Sequence, residues 1–142
     1  MKTKIFNSQE VQAIIDGKKT MFREVCKVQP SFIVDEEKLN ITHRSDYFKP
    51  KFKVGQEISV KHQESLITLK IKSVKVERLQ DISEEDAIAQ RPQYSIIDPF
   101  CNATPIDLFK ILWNCTHKKP EEKWEANPWV FVYEFEVINF KK

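Results

Sequence analysis

Glycine is nearly absent from this chain, with two in 142 residues where ordinary usage would give about ten. Cysteine is sparse and unpatterned. Cys26, Cys101 and Cys115 are odd in number, irregular in spacing and never C-x-x-C. With His43, His62 and His117 they form no recognised ligand set, although Cys115 and His117 are close. The reading is three reduced, mostly packing thiols, with no metal and no cofactor. No apolar run is long enough to cross a membrane. The segment Met1 to Asn7 has no apolar core of a secretory signal. These absences point to a cytoplasmic protein with no membrane partner. Repeats, low-complexity tracts and linkers are lacking too, so residues 1–142 read as a single domain with the monomer as default state.

An excess of charge of one sign is also missing, since the net charge is only +2. Its distribution is uneven. Residues 1–76 carry 15 Lys/Arg against 9 Asp/Glu, and residues 77–142 carry 8 against 12. Such asymmetry fits one side facing a polyanion, and it equally fits solvated lysines on exposed strand faces. Both glycines lie in the basic half. Glycine is required where φ is positive or where something approaches the backbone closely.

Hydrophobic residues make up 41% and charged residues 31%, the balance of a globular chain. Asn7 caps a helix, with Glu10 reaching back as in a capping box. Val11, Ile14 and Ile15 share a helical face, and Gly17 stops the helix. Residues 20–25 read as a strand, 31–34 and 39–43 as a hairpin, and 44–53 as a basic, aromatic loop. Ile58 to Lys61 and Leu66 to Leu79 read as strands joined by a short turn, with a bulge near Ser73 re-phasing Val74 and Val76. Ser83 caps a short helix whose first turn is Glu84, Glu85 and Asp86. Residues 91–103 read as irregular. Thr104-Pro105 opens a helix with an apolar stripe of Ile106, Phe109, Leu112 and Trp113. Trp129 to Ile138 is a strand apolar on both faces in its first half, hence central. Strands without regular intervening helices predict an α+β fold, a small mixed or antiparallel β-barrel flanked by helices, not a doubly wound sheet.

Five segments in this order and spacing carry a resemblance: Gly17-Lys18-Lys19-Thr20, Val54-Gly55-Gln56-Glu57-Ile58, Glu77 to Ala89, Leu108 to Trp113, and Trp124 to Val130. Together they resemble the ASCH domain, and within it the small proteins of bacteriophages and prophages. The resemblance covers nearly the whole chain, weakly over 28–52 and 91–104. It implies a PUA-like barrel with a ligand cleft between barrel and helices, the segment after the first helix forming its wall. Related folds handle RNA or modified nucleosides, and one ASCH branch is similar to amidohydrolases that deacetylate N4-acetylcytidine.

In that branch a lysine assists a threonine nucleophile three residues on, and a glutamate does acid–base work. Gly17 and Lys19 match the G-x-K motif. The threonine position is Phe22 and the glutamate position is Gln90, neither of which can do that chemistry. Glu24 stands where arginine is usual, with Arg23 one residue earlier. Ser59-Val60-Lys61-His62 replaces a Trp-Val-Arg-Glu-like strand, with Lys61 keeping the cation. Thr20 is a substitute hydroxyl, but adjacent strand residues point to opposite faces.

The candidate ligand residues are Lys18, Lys19, Arg23, Lys61, Gln90 and Trp129, with Lys19 catalytic if the protein is an enzyme. Lys18, Lys19 and Arg23 read as an anion site beside a glycine turn, or as a solvated basic turn. Trp129 reads as a base-stacking ring or as the packed start of the central strand, and Trp124 as a cover for the last helix. Tyr47, Lys49, Lys51 and Lys53, with Phe48 and Phe52, interleave rings and cations as a nucleic-acid loop does, or fold over the barrel. Three functions stand: binding RNA or a nucleoside-like ligand without the usual hydrolase residues, hydrolysis of acylated cytidine nucleosides or of nucleic acid, and a phage accessory role through protein contacts.

Overall fold

A computed structural model describes residues 2–27, 29, 39–40, 49–90 and 103–141. Its strands are β1 (Lys2–Thr3), β2 (Met21–Val25), β3 (Leu39–Asn40), β4 (Glu57–His62), β5 (Ser65–Arg78) and β6 (Trp129–Lys141). Its helices are α1 (Ser8–Ile15), α2 (Glu84–Gln90) and α3 (Pro105–Thr116), with single helical turns at Leu79–Asp81, Pro120–Glu122 and Trp124–Ala126.

The strands form one mixed sheet in the order β1-β4-β5-β6-β2, with β3 on β5. β1 runs parallel to β4, and the other pairs are antiparallel. The architecture is an α+β half-barrel with helices against it. β6 lies between β5 and β2, as its doubly apolar first half requires. β5 alternates Ile67, Leu69 and Ile71 inward, and the register slips between Ile71 and Ser73 as the sequence pattern demands. A second slip, between Thr68 and Leu69, leaves no mark in the residue types.

Local chemistry sets the ends of the helices. Asn7 accepts from the Glu10 N–H at 2.8 Å while Glu10 accepts from the Asn7 N–H. At the other end Gly17 takes φ +74°. Its N–H reaches Ile14 O and the Lys18 N–H reaches Ala13 O, the paired bonds of a Schellman cap. Gly55, at φ +85°, is the third residue of a turn closed by Gln56 N–H on Lys53 O, the position where type II turns require positive φ. Ser83 Oγ accepts from the Asp86 N–H at the start of α2. Thr104 and Asp107 make a second capping box at α3, beyond the proline signal at that end.

Two apolar clusters flank the sheet. One holds Phe6, Val11, Ile14, Phe22, Phe52, Tyr133 and Phe135. The other packs Met21, Val130 and Val132 against Ala87 of α2 and Phe109 and Trp113 of α3. Trp124 packs edge-on to Phe109, covering α3.

Residues 31–34 and 41–43 of the expected hairpin lie outside the described residues, as do 44–48 of the expected loop and 91–102. Leu39–Asn40 pairs with Lys75–Val76 of β5. β1 has no counterpart in the sequence reading. Two residues carry no periodicity, and only the neighbouring β4 makes them a strand.

Candidate functional site

The Schellman cap directs the chain so that Lys18 stays exposed while Lys19 turns inward, 2% exposed. Lys19 Nζ donates to Met21 O at 2.9 Å and to Gln90 O at 2.5 Å. It also lies 3.8 Å from Glu10 Oε2 and 5.6 Å over the Phe6 ring. Gln90 O is a carbonyl at the end of α2, where a helix leaves its acceptors open and favours a cation. One ammonium thus joins α1, β2 and α2. The Thr20 N–H on Ala89 O, 3.0 Å, reinforces the same joint.

β2 then alternates. Phe22 faces the aromatic cluster and Arg23 faces the helices. Arg23 Nη2 is 2.6 Å from Glu77 Oε1, both side chains 0% exposed, and 3.4 Å from Asp86 Oδ2. Nη1 donates to Gln90 Oε1 at 2.8 Å. Arg23 Nε is buried without a partner among the described residues.

Lys19, Arg23 and Gln90 share one wall of an open cleft of about 420 Å³. The cleft follows the outer edge of β2, where no further strand pairs among the described residues. Lys4, Phe6 and Glu10 also line it, as do Trp113, Thr116 and His117 at the end of α3 and Glu122 beyond it. Lys4 Nζ is 2.8 Å from Glu24 Oε2, tying the segment after β1 to β2 at opposite ends of the sheet.

His117 stacks on Trp113 with ring centres 3.7 Å apart and planes at 10°. Its Nδ1 is 3.0 Å from both Trp113 O and Thr116 Oγ1. Trp113 Nε1 donates to Glu122 O, which fixes the ring beneath the imidazole.

Three cations of the cleft, Lys4, Lys19 and Arg23, therefore stand against carboxylates within the protein. Of the anion site read from Lys18, Lys19 and Arg23, Lys18 is exposed and does not line the cleft, and the other two are buried in pairs. Phe22, which the resemblance sets at the threonine position, lies 4.8 Å from Tyr133 in a stacked pair and edge-on to Phe6 and Phe52. Thr20 opens instead onto a different hollow, beside Gly17 and Glu134.

Lys61 and Trp129 do not reach the cleft. Lys61 is exposed on β4, which β5 and β6 separate from β2 within the sheet. Trp129 is 2% exposed, and the Arg78 guanidinium lies 4.5 Å over its ring. Lys49 and Lys51 line a neighbouring hollow, Lys53 is exposed beside the Gly55 turn, and Tyr47 lies outside the described residues. Sequence reasoning placed Glu10 only as a cap and missed Thr116 and His117. Their signal was the four-residue spacing from Trp113 to His117, which sets two rings on one helix face. Among the described residues no three His, Cys, Asp or Glu side chains converge as metal ligands would.

Solved structures with a similar fold include protein EF3133 from Enterococcus faecalis V583, described under the family model DUF984, with TM-score 0.58 and 14% identity over 100% of this chain and 84% of that one. Another is an ASCH domain from Lactobacillus crispatus JV V101, with TM-score 0.57 and 13% identity over 96% of this chain and 78% of that one. The chain has an ASCH-like fold. Hypothetical protein PH0355 shares it at TM-score 0.53 and 18% identity, over 97% of this chain and 100% of that one. No family model matches the sequence, and no curated protein does. The phage origin that the resemblance implied has no support from these neighbours. No described helix of the ASCH-like fold is long and apolar enough to cross a membrane.

Proposed function

We propose that the cleft along β2 binds a nucleobase-bearing ligand, a nucleoside free or within RNA, without the threonine–glutamate hydrolysis of the amidohydrolase branch. The observation that carries this reading is the convergence of Lys19, Arg23 and Gln90 on one cleft in which the cations are already neutralised. A neutral hollow offers no phosphate hole. It offers hydrogen-bonding groups and the stacked His117 ring, the features that read a base edge and a base face. A cavity of this size falls within the range of about 300–1,000 Å³ that small ligands occupy.

The test is calorimetric titration with the four ribonucleosides and N4-acetylcytidine. Base stacking is worth about 1–3 kcal/mol, so His117→Ala weakens the best ligand by about fivefold or more while the thermal midpoint holds. Absence of saturable binding by every nucleoside overturns the reading. Lys19 on the cleft wall keeps hydrolysis as the second reading, and acetate release from N4-acetylcytidine that is lost in Lys19→Met establishes it instead.

A further inference from the structure

We propose that the ligand is a single strand of RNA, whose sugar–phosphate backbone leaves the cleft along β2 and crosses a basic ramp of Lys27, Lys49 and Lys51. This inference rests on the cleft binding a nucleobase. The cleft does not end at Arg23. A second hollow of about 720 Å³ continues from it and shares Glu24 and Val25 of β2. Lys27, Lys49 and Lys51 line it, with Phe131 beneath.

The charge of the two hollows differs in kind. In the cleft every lysine and arginine has a carboxylate partner. On the ramp none of the three lysines pairs with a carboxylate among the described residues, and all three are exposed. Glu24, the acid at the junction, is engaged by Lys4. A base in the neutral hollow and phosphates over the cationic one is the division of labour that single-strand recognition uses: rings read bases, and lysines hold the backbone.

The ramp is anchored. Phe52 is fully buried in the aromatic cluster, and the Lys51 N–H donates to the Tyr133 hydroxyl at 3.1 Å. Lys2 Nζ donates to Lys51 O from β1. The lysines of this segment thus project from a backbone held to the sheet.

The edge of β2 adds a second set of groups. Thr20 O accepts from Phe135 N–H, and Cys26 N–H donates to Trp129 O. By the two-residue alternation of an antiparallel ladder, even-numbered residues of β2 bond to β6 and odd-numbered ones face outward. The main-chain groups of Arg23 and Val25 therefore line the path between cleft and ramp, and backbone N–H groups are common partners of phosphate oxygens.

The test uses 5′-labelled ribonucleotide homohexamers, followed by fluorescence anisotropy at 50 and 200 mM salt, beside the nucleoside titrations. The ramp variant is Lys27→Gln/Lys49→Gln/Lys51→Gln. The control, with the same change of net charge, is Lys61→Gln/Lys70→Gln/Lys141→Gln, all exposed away from the ramp. Each phosphate contact on a single strand contributes about 0.7 to the slope of log affinity against log salt. The wild type therefore loses about twentyfold more affinity between the two salts than the ramp variant does. At 50 mM the ramp variant binds at least tenfold more weakly than wild type, the control stays within twofold, and nucleoside affinity is unchanged in both. Equal losses in ramp and control variants overturn the proposal. Nucleosides that bind while hexamers bind no tighter overturn the ramp alone. Lysine-dependent hexamer binding without any nucleoside binding overturns the cleft reading instead.

Discussion

Removing Arg23 tests whether the cleft wall stands on a buried ion pair. Arg23→Met keeps the length of the stem and deletes the guanidinium. Glu77, 2.6 Å away with its side chain wholly buried, then faces a thioether. Breaking a buried pair from one side costs about 3–5 kcal/mol, because an uncompensated charge remains. Gln90 Oε1 loses its donor in the same step. Folding stabilities are commonly about 5–15 kcal/mol, so the variant forfeits a large part of the total. Glu77→Leu is milder, about 1–3 kcal/mol, because the guanidinium keeps Gln90 at 2.8 Å and the part-exposed Asp86 at 3.4 Å. Arg23→Met/Glu77→Leu buries no unpaired charge and recovers most of the loss, since apolar replacement of buried pairs is often neutral. Urea unfolding of the four proteins at pH 7 gives the coupling energy directly. A loss below 1 kcal/mol in Arg23→Met, or single effects that add within 0.5 kcal/mol, refutes the reasoning.

Gly17→Ala and Gly55→Ala isolate a backbone effect. An added Cβ meets nothing within 4 Å at either site, so the cost is that of positive φ alone, about 1–2 kcal/mol by denaturant unfolding. A loss above 3 kcal/mol would mean hidden packing. Burial pushes the Cys26 thiol from its ordinary 9.0 up to about 12. The unfolded chain therefore releases this proton first, and stability, intact below pH 9, falls by about 1.4 kcal/mol per pH unit as pH rises from 9 towards 12. Cys26→Ala removes that slope, and Tyr133, whose phenol burial also raises, steepens the loss at higher pH. Peptide mapping after brief alkylation at pH 8 shows exposed Cys115 modified before buried Cys26.

Much of the fold was legible because its signals are local. The Asn7–Glu10 cap, the Gly17 stop, the Ser83 cap and the alternation of β5 each depend on residues a few positions apart. The ordering β1-β4-β5-β6-β2 is not local, and neither is the parallel pairing of two residues at β1. The site divides along the same line. Of the six ligand residues named from the motif and the resemblance, Lys19, Arg23 and Gln90 line one cleft. Trp129 and Lys61 were chosen for chemical type, but type does not reveal which face of a sheet or how many strands away a side chain lies.

By itself the sequence determined where helices start and stop and which strand is central. Those follow from side-chain chemistry and short-range geometry. Only the tertiary structure decided that Lys19 and Arg23 are neutralised by Glu10, Glu77 and Asp86, and that His117 lines the same cleft. Arg23 and Glu77 are 54 residues apart, and Lys19 and Gln90 are 71. Charge state in a cleft depends on what burial brings within a few ångströms, and no pattern along the chain encodes that distance.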